Sequence, residues 1–143
     1  MIYATGDLHG NTLRFQPQYF PEQSNMTKDD YIKAEIKRLK KIFANLTQDA
    51  SAVAEKLIEN AAFMAVSLTD LQRIINEKGY TEEYQNGENQ FGTKKSSEVD
   101  IYNTMVKNFN ATMKQLIDML PESPSGSNSK NAALDYITRR AGP

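Results

Sequence analysis

Residues 27–46, TKDDYIKAEIKRLKKIFANL, decide the fold of this chain, because their apolar side chains recur with the period of a helix. These apolar residues are Ile32, Ile36, Leu39, Phe43 and Leu46. Spacings of four and three residues place all of them on one helical face. Thr27, Asp29 and Asp30 precede them and supply a side-chain cap and negative charge at the positive end of the helix dipole. The pattern predicts a first helix from about Lys28 to Leu46.

The helical period continues along the next part of the chain and predicts a second and a third helix. Thr47 or Asp49 caps the second helix. Its apolar stripe consists of Val53, Leu57, Ile58, Ala61, Met64 and Ala65. The third helix is predicted to begin at Ser67-Leu68-Thr69-Asp70, which has the form of a capping box, and to end at Lys78-Gly79.

A different pattern separates these helices from the longest one. Between Tyr80 and Lys95 the helical period is lost, and Asn86-Gly87 lies between short segments that contain aromatic residues. Both residues tolerate a positive φ, so the segment predicts a reverse turn or a small hairpin. Ser97-Glu98-Val99-Asp100 is a second capping box, and it starts a long helix that Pro121 ends.

The predicted fold is all-α, a small bundle of about four helices with a turn or hairpin inserted near residues 80–95. Residues 1–26 are predicted to form a strand and loop or to be poorly ordered. The chain divides into three parts: an N-terminal fragment (1–31), a helical domain (32–121) and a C-terminal part (122–143). In the last part, residues 122–130 read as a Ser/Gly/Pro linker and residues 131–140 as a short helix.

Composition excludes several classes of chemistry. The 143 residues include no cysteine and one histidine, His9, so thiolate sites, disulfides and imidazole-rich metal sites are excluded. No apolar run approaches the roughly 18 residues that a membrane span requires, so we expect a cytoplasmic protein with no membrane contact. The formal net charge is −1, and the overall charge therefore gives no indication of nucleic-acid binding.

The N-terminal segment contains a motif that suggests metal chemistry. Ile2–Asn11 includes Gly6-Asp7-Leu8-His9-Gly10 and resembles the opening of calcineurin-like metallophosphoesterases. In that family the residues at the positions of Asp7 and His9 bind metal. The family also requires further histidines, and none follows His9. Two ligands are too few for a catalytic two-metal site, so we predict a vestigial pair, with no metal, cofactor or enzymatic activity.

A second candidate site is the basic face of the first predicted helix. It consists of Lys33, Lys37, Arg38, Lys40 and Lys41, with Glu35 as the single acidic residue among them. Several of these cations fall at neighbouring helical positions and can neutralise phosphates together. Lys94 and Lys95 form a weaker second patch. A solvated helix face without any ligand would have the same sequence pattern.

Five blocks of the helical region carry a family resemblance. They are Ala34–Phe43, Leu57–Met64, Glu83–Gly92, Lys94–Asn103 and Lys107–Pro121. In this order the blocks resemble the small terminase subunits of phages and prophages over about residues 32–121.

The resemblance implies a non-enzymatic DNA-packaging component of a bacterial host cell. Such a protein binds double-stranded viral DNA, assembles with itself into a ring and delivers the DNA to the large terminase subunit. The basic residues of the first helix, with Lys94 and Lys95, are then expected to contact DNA phosphates. Two alternatives stay open: a remnant metallophosphoesterase, and a helical interaction module that binds no nucleic acid.

Overall fold

Four helices and one antiparallel hairpin make up the part of the chain that the structure, a computed structural model, describes, namely residues 25–141. In chain order the elements are α1 (Lys28–Ile42), α2 (Gln48–Lys78), β1 (Thr81–Gln85), β2 (Phe91–Lys95), α3 (Ser97–Asp118) and α4 (Pro124–Ala141). The prediction of a small helical bundle with an inserted hairpin is confirmed, although the two-stranded sheet means that the fold is not purely all-α. The strand or loop predicted for residues 1–26, and the pair Asp7 and His9, lie outside the described residues except for Asn25 and Met26.

The start of α1 is fixed by a reciprocal cap. The Thr27 hydroxyl accepts a hydrogen bond from the Asp30 amide at 3.3 Å, and the Asp30 carboxylate accepts one from the Thr27 amide at 2.9 Å. The helix ends at Ile42, four residues before the predicted end at Leu46. Beyond it Asn45 donates from its amide to the Ser129 hydroxyl of α4 at 3.0 Å. The turn is therefore attached to the last helix.

The second and third predicted helices are one continuous helix of 31 residues, α2, and the predicted start at Ser67–Asp70 is wrong. In place of a cap, the Thr69 hydroxyl donates to the Ala65 carbonyl four residues earlier, as polar residues inside a helix commonly do. Ser67 is buried in the helix interior. The segment has no Gly or Pro to interrupt the backbone ladder before Gly79 caps the C-terminus, as predicted.

The hairpin predicted around Asn86-Gly87 is present, but its loop comprises residues 86–90 and is longer than a two-residue turn. Thr81 pairs with Lys95 and Gln85 pairs with Phe91 in an antiparallel ladder. Gly87 has φ of 82°, a left-handed conformation that a residue with a Cβ rarely adopts. Nearly every residue of both strands is exposed, so the hairpin projects from the bundle without a core of its own.

The starts of the last two helices differ from the predictions. α3 is capped by Ser96, whose side chain makes no capping hydrogen bond, so the predicted capping box at Ser97–Asp100 is wrong. α4 begins at Pro124, inside the predicted linker, which is therefore wrong as well. The Ser123 hydroxyl accepts from the Gly126 amide at 3.2 Å, and proline suits the first helical position because its missing amide hydrogen is not needed there.

Gly126 shows why α4 packs where a linker was predicted. A Cβ built at this position would lie 1.9 Å from the Pro121 carbonyl oxygen, so only glycine permits this close approach of α4 to the end of α3. The C-terminal part is consequently attached to the bundle, and its Ala133 and Tyr136 belong to the common core.

The core lies where α2 packs against α1 on one side and α3 on the other. Its largest fully buried side chains are Leu39, Met113 and Leu116. Small residues of α2, including Ala61, Ala62 and Ala65, are also fully buried and allow the neighbouring helices to approach closely. Across residues 25–141, none of the helices has the length and apolar character to traverse a lipid bilayer.

Candidate nucleic-acid interface

Three of the predicted DNA-contacting lysines form a row along the outer side of α1. Lys33, Lys37 and Lys41 are exposed and follow one another at intervals of four residues. At a rise of about 1.5 Å per residue, successive Cα atoms along this row lie roughly 6 Å apart along the helix axis. Leu39, on another side of the same helix, is fully buried. The packing that holds α1 in place therefore leaves the lysine row open to solvent.

The ion pairs of the bundle distinguish this row from the other cations. Eleven lysine or arginine side chains contact a carboxylate, and they are Lys28, Arg38, Lys40, Lys56, Arg73, Lys78, Lys94, Lys95, Lys114, Lys130 and Arg139. Among the described side chains, four cations make no such contact: Lys33, Lys37, Lys41 and Lys107. Three of these four belong to the row on α1.

Arg38 lies beside the row but is engaged with the interior. Its guanidinium is 3.8 Å from the carboxylate of Glu35 and lies over the Tyr136 ring, 4.9 Å from the ring centroid. Glu35 is only 5% exposed and accepts a short hydrogen bond from the Tyr136 hydroxyl. Because a buried carboxylate needs partners, Arg38 and Tyr136 stabilise Glu35 and join α1 to α4.

Lys40 pairs with the next helix. Its ammonium donates to Glu55 of α2 at 2.6 Å, and this hydrogen bond, with the lysine charge, holds the pKa of Glu55 below its usual value of 4.5. Both side chains are about half exposed, and surface pairs of this kind contribute little to stability. Breaking the Lys40–Glu55 pair in favour of a phosphate would therefore cost little free energy, but in the structure Lys40 is already paired.

The second predicted patch, Lys94 and Lys95, is neutralised by neighbouring residues. The antiparallel register places Glu82 opposite Lys94, and their charged atoms are 2.9 Å apart. Lys95 pairs with Asp100 in the first turn of α3. The structure thus brings the two lysines to one end of the hairpin, each with a carboxylate beside it.

The field of the row is weakened at its N-terminal end. The pKa of Asp30 is lowered from its usual 3.8, first by the hydrogen bonds from Thr27 and to a smaller extent by the charge of Lys33. Asp30 therefore stays ionised near Lys33 at neutral pH. The most electropositive part of the row is expected around Lys37 and Lys41, where no carboxylate of the described residues makes contact.

Sequence patterns missed three features of this surface. The role of Glu35 was missed because a lone acidic residue among lysines resembles a solvated charge. Lys107 was missed because it lies singly on a helix that is otherwise polar on that side. The pairing of Glu82 with Lys94 was missed because Asn86-Gly87 does not fix the register: a two-residue turn there would pair Gln85 with Glu88, whereas the longer loop pairs Gln85 with Phe91.

The described residues offer no constellation for metal-dependent catalysis. No group of three or more His, Asp or Glu side chains is placed to hold a metal ion within residues 25–141. Comparison with known proteins adds no further constraint, because no protein-family model, curated protein or solved structure matches this chain. The lysine row is therefore the feature on which a functional assignment rests.

Proposed function

We propose that this protein binds double-stranded viral DNA through the lysine row of α1, as a non-enzymatic DNA-packaging component similar to a small terminase subunit. The observation that carries the proposal is the distribution of ion pairs: within residues 25–139 most cations contact a carboxylate, whereas Lys33, Lys37 and Lys41 form a row without such a contact. A row of exposed ammonium groups on a rigid helix suits the regularly spaced phosphates of a duplex.

The proposed contacts position DNA and do not read its sequence. Lysine ammonium groups bind phosphate oxygens as point charges, and such contacts set the orientation of a protein on the duplex without recognising base edges. Arg38, Lys40, Lys94 and Lys95 are secondary contacts in this proposal, because each must first leave a carboxylate. Assembly of copies around DNA and its delivery to a large terminase subunit belong to the same proposal, on the strength of the sequence resemblance.

The salt dependence of DNA binding tests the proposal. Each phosphate contact contributes about 0.9 to the slope of log affinity against log salt, so replacing Lys33, Lys37 and Lys41 together by alanine should reduce that slope by about 2.7 per protomer. At 0.1 M salt this corresponds to a roughly 500-fold loss of affinity, measured by fluorescence anisotropy with a labelled duplex.

A matched control removes the same formal charge elsewhere. Lys56, Arg73 and Lys114 are exposed cations that each pair with a carboxylate on their own helix. Their triple alanine variant should bind DNA with nearly the slope of the unmodified protein. Equal losses in both variants would show a general charge effect and reject the lysine row as the binding site.

A second candidate, a helical interaction module without a nucleic-acid role, is favoured by the exposed aromatic residues of the hairpin region. Tyr80 and Phe91 are 71% and 75% exposed, which is unusual for large apolar side chains with no binding role. If the unmodified protein shows no DNA binding even at low salt, this candidate replaces the first. A metallophosphoesterase activity would depend on Asp7 and His9, outside the described residues, and nothing in residues 25–141 supports it.

A further inference from the structure

An apolar groove lies on the surface shared by α2 and α3. It has a volume of about 430 Å³, and its lining residues are Met64, Asp100, Ile101, Thr104, Met105 and Asn108. The α3 residues follow at intervals of three and four, so they form one face of that helix. Ile101 is 50% exposed although it is a large apolar residue. The groove thus presents three apolar side chains to solvent, Met64, Ile101 and Met105, with Asp100, Thr104 and Asn108 around them.

The hairpin presents a side chain of complementary character. Phe91 is 75% exposed and lies at the end of β2 that is distant from the bundle. The opposite end is attached to the bundle, because the Ser96 amide donates to the Tyr80 carbonyl at 2.9 Å and Lys95 pairs with Asp100. Phe91 lies four residue steps from Lys95, about 13 Å along the strand. Phe91 therefore lies well away from the point at which the hairpin joins the bundle.

A negative charge accompanies Phe91 on the hairpin. The register pairs Glu83 with Thr93 and Gln85 with Phe91, so Glu83 and Phe91 lie on the same face, one diagonal step apart. Glu83 is exposed and forms no ion pair within the described residues. This face of the hairpin therefore offers an aromatic ring with an unpaired carboxylate roughly 7 Å away.

A positive charge accompanies the groove. Lys107 is the one unpaired cation of the described residues that does not belong to the α1 row. It lies three residues beyond Thr104, a lining residue of the groove, so the two are neighbours on the α3 surface. The groove therefore offers an apolar floor with an unpaired ammonium at its border, opposite in sign to the charge beside Phe91.

We propose that the hairpin of one copy binds in the α2–α3 groove of a second copy. Phe91 inserts among Met64, Ile101 and Met105, and Glu83 faces Lys107. Hairpin and groove are different surfaces of the same chain, so the contact joins copies either head to tail or by reciprocal exchange of hairpins. The contact uses neither the lysine row nor DNA, and its failure would leave the proposed DNA binding unaffected.

The first experiment measures the mass of the full chain in the absence of DNA, by sedimentation velocity over a range of concentrations. The unmodified protein should associate, and Phe91→Ser and Ile101→Asp should each raise the dissociation constant at least tenfold. Both positions are exposed, so thermal unfolding followed by circular dichroism should change little. A protein that stays monomeric up to the highest soluble concentration, or an Ile101→Asp variant that associates normally, would overturn the proposal.

Charge reversal provides the second experiment and does not depend on the folding of the apolar variants. Glu83→Lys and Lys107→Glu should each weaken association, and a chain that carries both should regain it, because the pair is restored with the opposite polarity. Failure of the double variant to recover would place the self-contact elsewhere. A mixture of Phe91→Ser with Ile101→Asp should form a one-to-one complex, since each variant retains the surface that the other lacks; no complex would likewise contradict the docking.

Discussion

Helix α1 and the β1–β2 hairpin both carry clustered lysines, but the two elements surround these lysines with different neighbours. On α1 residues four apart in sequence are neighbours, and Lys33, Lys37 and Lys41 follow one another at this spacing with no acidic residue between them in the row. In the hairpin, neighbours come from the opposite strand, and Lys94 meets Glu82. The same residue type is therefore unpaired in one element and neutralised in the other.

The two elements also differ in how they are held. α1 is capped at Thr27 and buries Leu39 completely, so its exposed lysines stand on a rigid support. The hairpin buries almost nothing and leaves Phe91 in solvent. From this difference we infer that α1 suits a polyanion, whereas the hairpin, with both of its lysines paired and its aromatic side chains exposed, suits a protein surface.

The largest expected effect concerns stability, because α1 buries side chains in the core and the hairpin does not. Leu39→Ala removes a fully buried side chain and should lower the free energy of unfolding by about 2–5 kcal/mol. Phe91→Ala, which removes a larger but exposed side chain, should change it by less than about 0.5 kcal/mol. Urea unfolding at low protein concentration measures both. Similar losses in the two variants would mean that the hairpin is part of the folding core.

A carboxylate introduced beside the lysine row should form an ion pair with a lysine of the row, as Glu82 and Asp100 do with the hairpin lysines. Ala34 is exposed and lies three residues before Lys37, so Ala34→Glu places a negative charge at a neighbouring position. We expect DNA affinity to fall about two- to fivefold, the range that one surface ion pair supports. Ala34→Gln is the control, since it has the same size without the charge. An equal loss of DNA affinity in the Ala34→Gln variant would show that the size of the new side chain, and not its charge, causes the effect.

Acid should slightly weaken the start of α1 and the base of the hairpin, through Asp30 in α1 and Glu98 in the first turn of α3. Hydrogen bonds from Thr27 lower the pKa of Asp30 in α1, and the hydrogen bond from Lys78 lowers the pKa of Glu98 at the hairpin base. Since both values fall below the ordinary 3.8 and 4.5, their stabilisation is complete above those values and is lost as the pH falls through the folded-state pKa.

The urea midpoint should therefore decrease between pH 5 and pH 3, by a small amount because both groups are only partly buried and solvent screens their interactions. Asp30→Asn and Glu98→Gln should each show a smaller decrease than the unmodified protein, since each removes one of the titrating carboxylates. Identical acid dependence in all three proteins would show that these two contacts do not contribute to stability.

Local features of the fold were predictable from the sequence, and the exceptions have physical causes. The cap at Thr27 and the turn at Asn86-Gly87 depend on residues close in sequence, and the structure confirms both. The break predicted at Ser67 was wrong because a capping-box pattern also fits the interior of a helix, where hydroxyls bond to preceding carbonyls. The start of α4 was missed because Ser, Gly and Pro favour linkers and helix N-termini alike.

Long-range pairing was beyond the reach of sequence patterns. Whether Lys40 is unpaired depends on Glu55, fifteen residues away on another helix, and whether Glu35 is buried depends on Tyr136, 101 residues away. Their sequence neighbours do not indicate either contact. The basic face of α1 was predictable as a group of five residues, but the division into three unpaired and two paired members required the packing of α2 and α4.

The unbroken course of α2 has a geometric consequence for an assembly of this chain. At 31 residues it measures roughly 46 Å, with α1 packed antiparallel along it between Glu55 and Asp70 and the hairpin following its C-terminal end. The length of α2 therefore sets the distance between the lysine row of α1 and the hairpin. Adding or deleting one turn of α2 would shift the hairpin by about 5.4 Å along the helix axis and rotate it only slightly. In an assembly, the spacing between neighbouring copies would change accordingly.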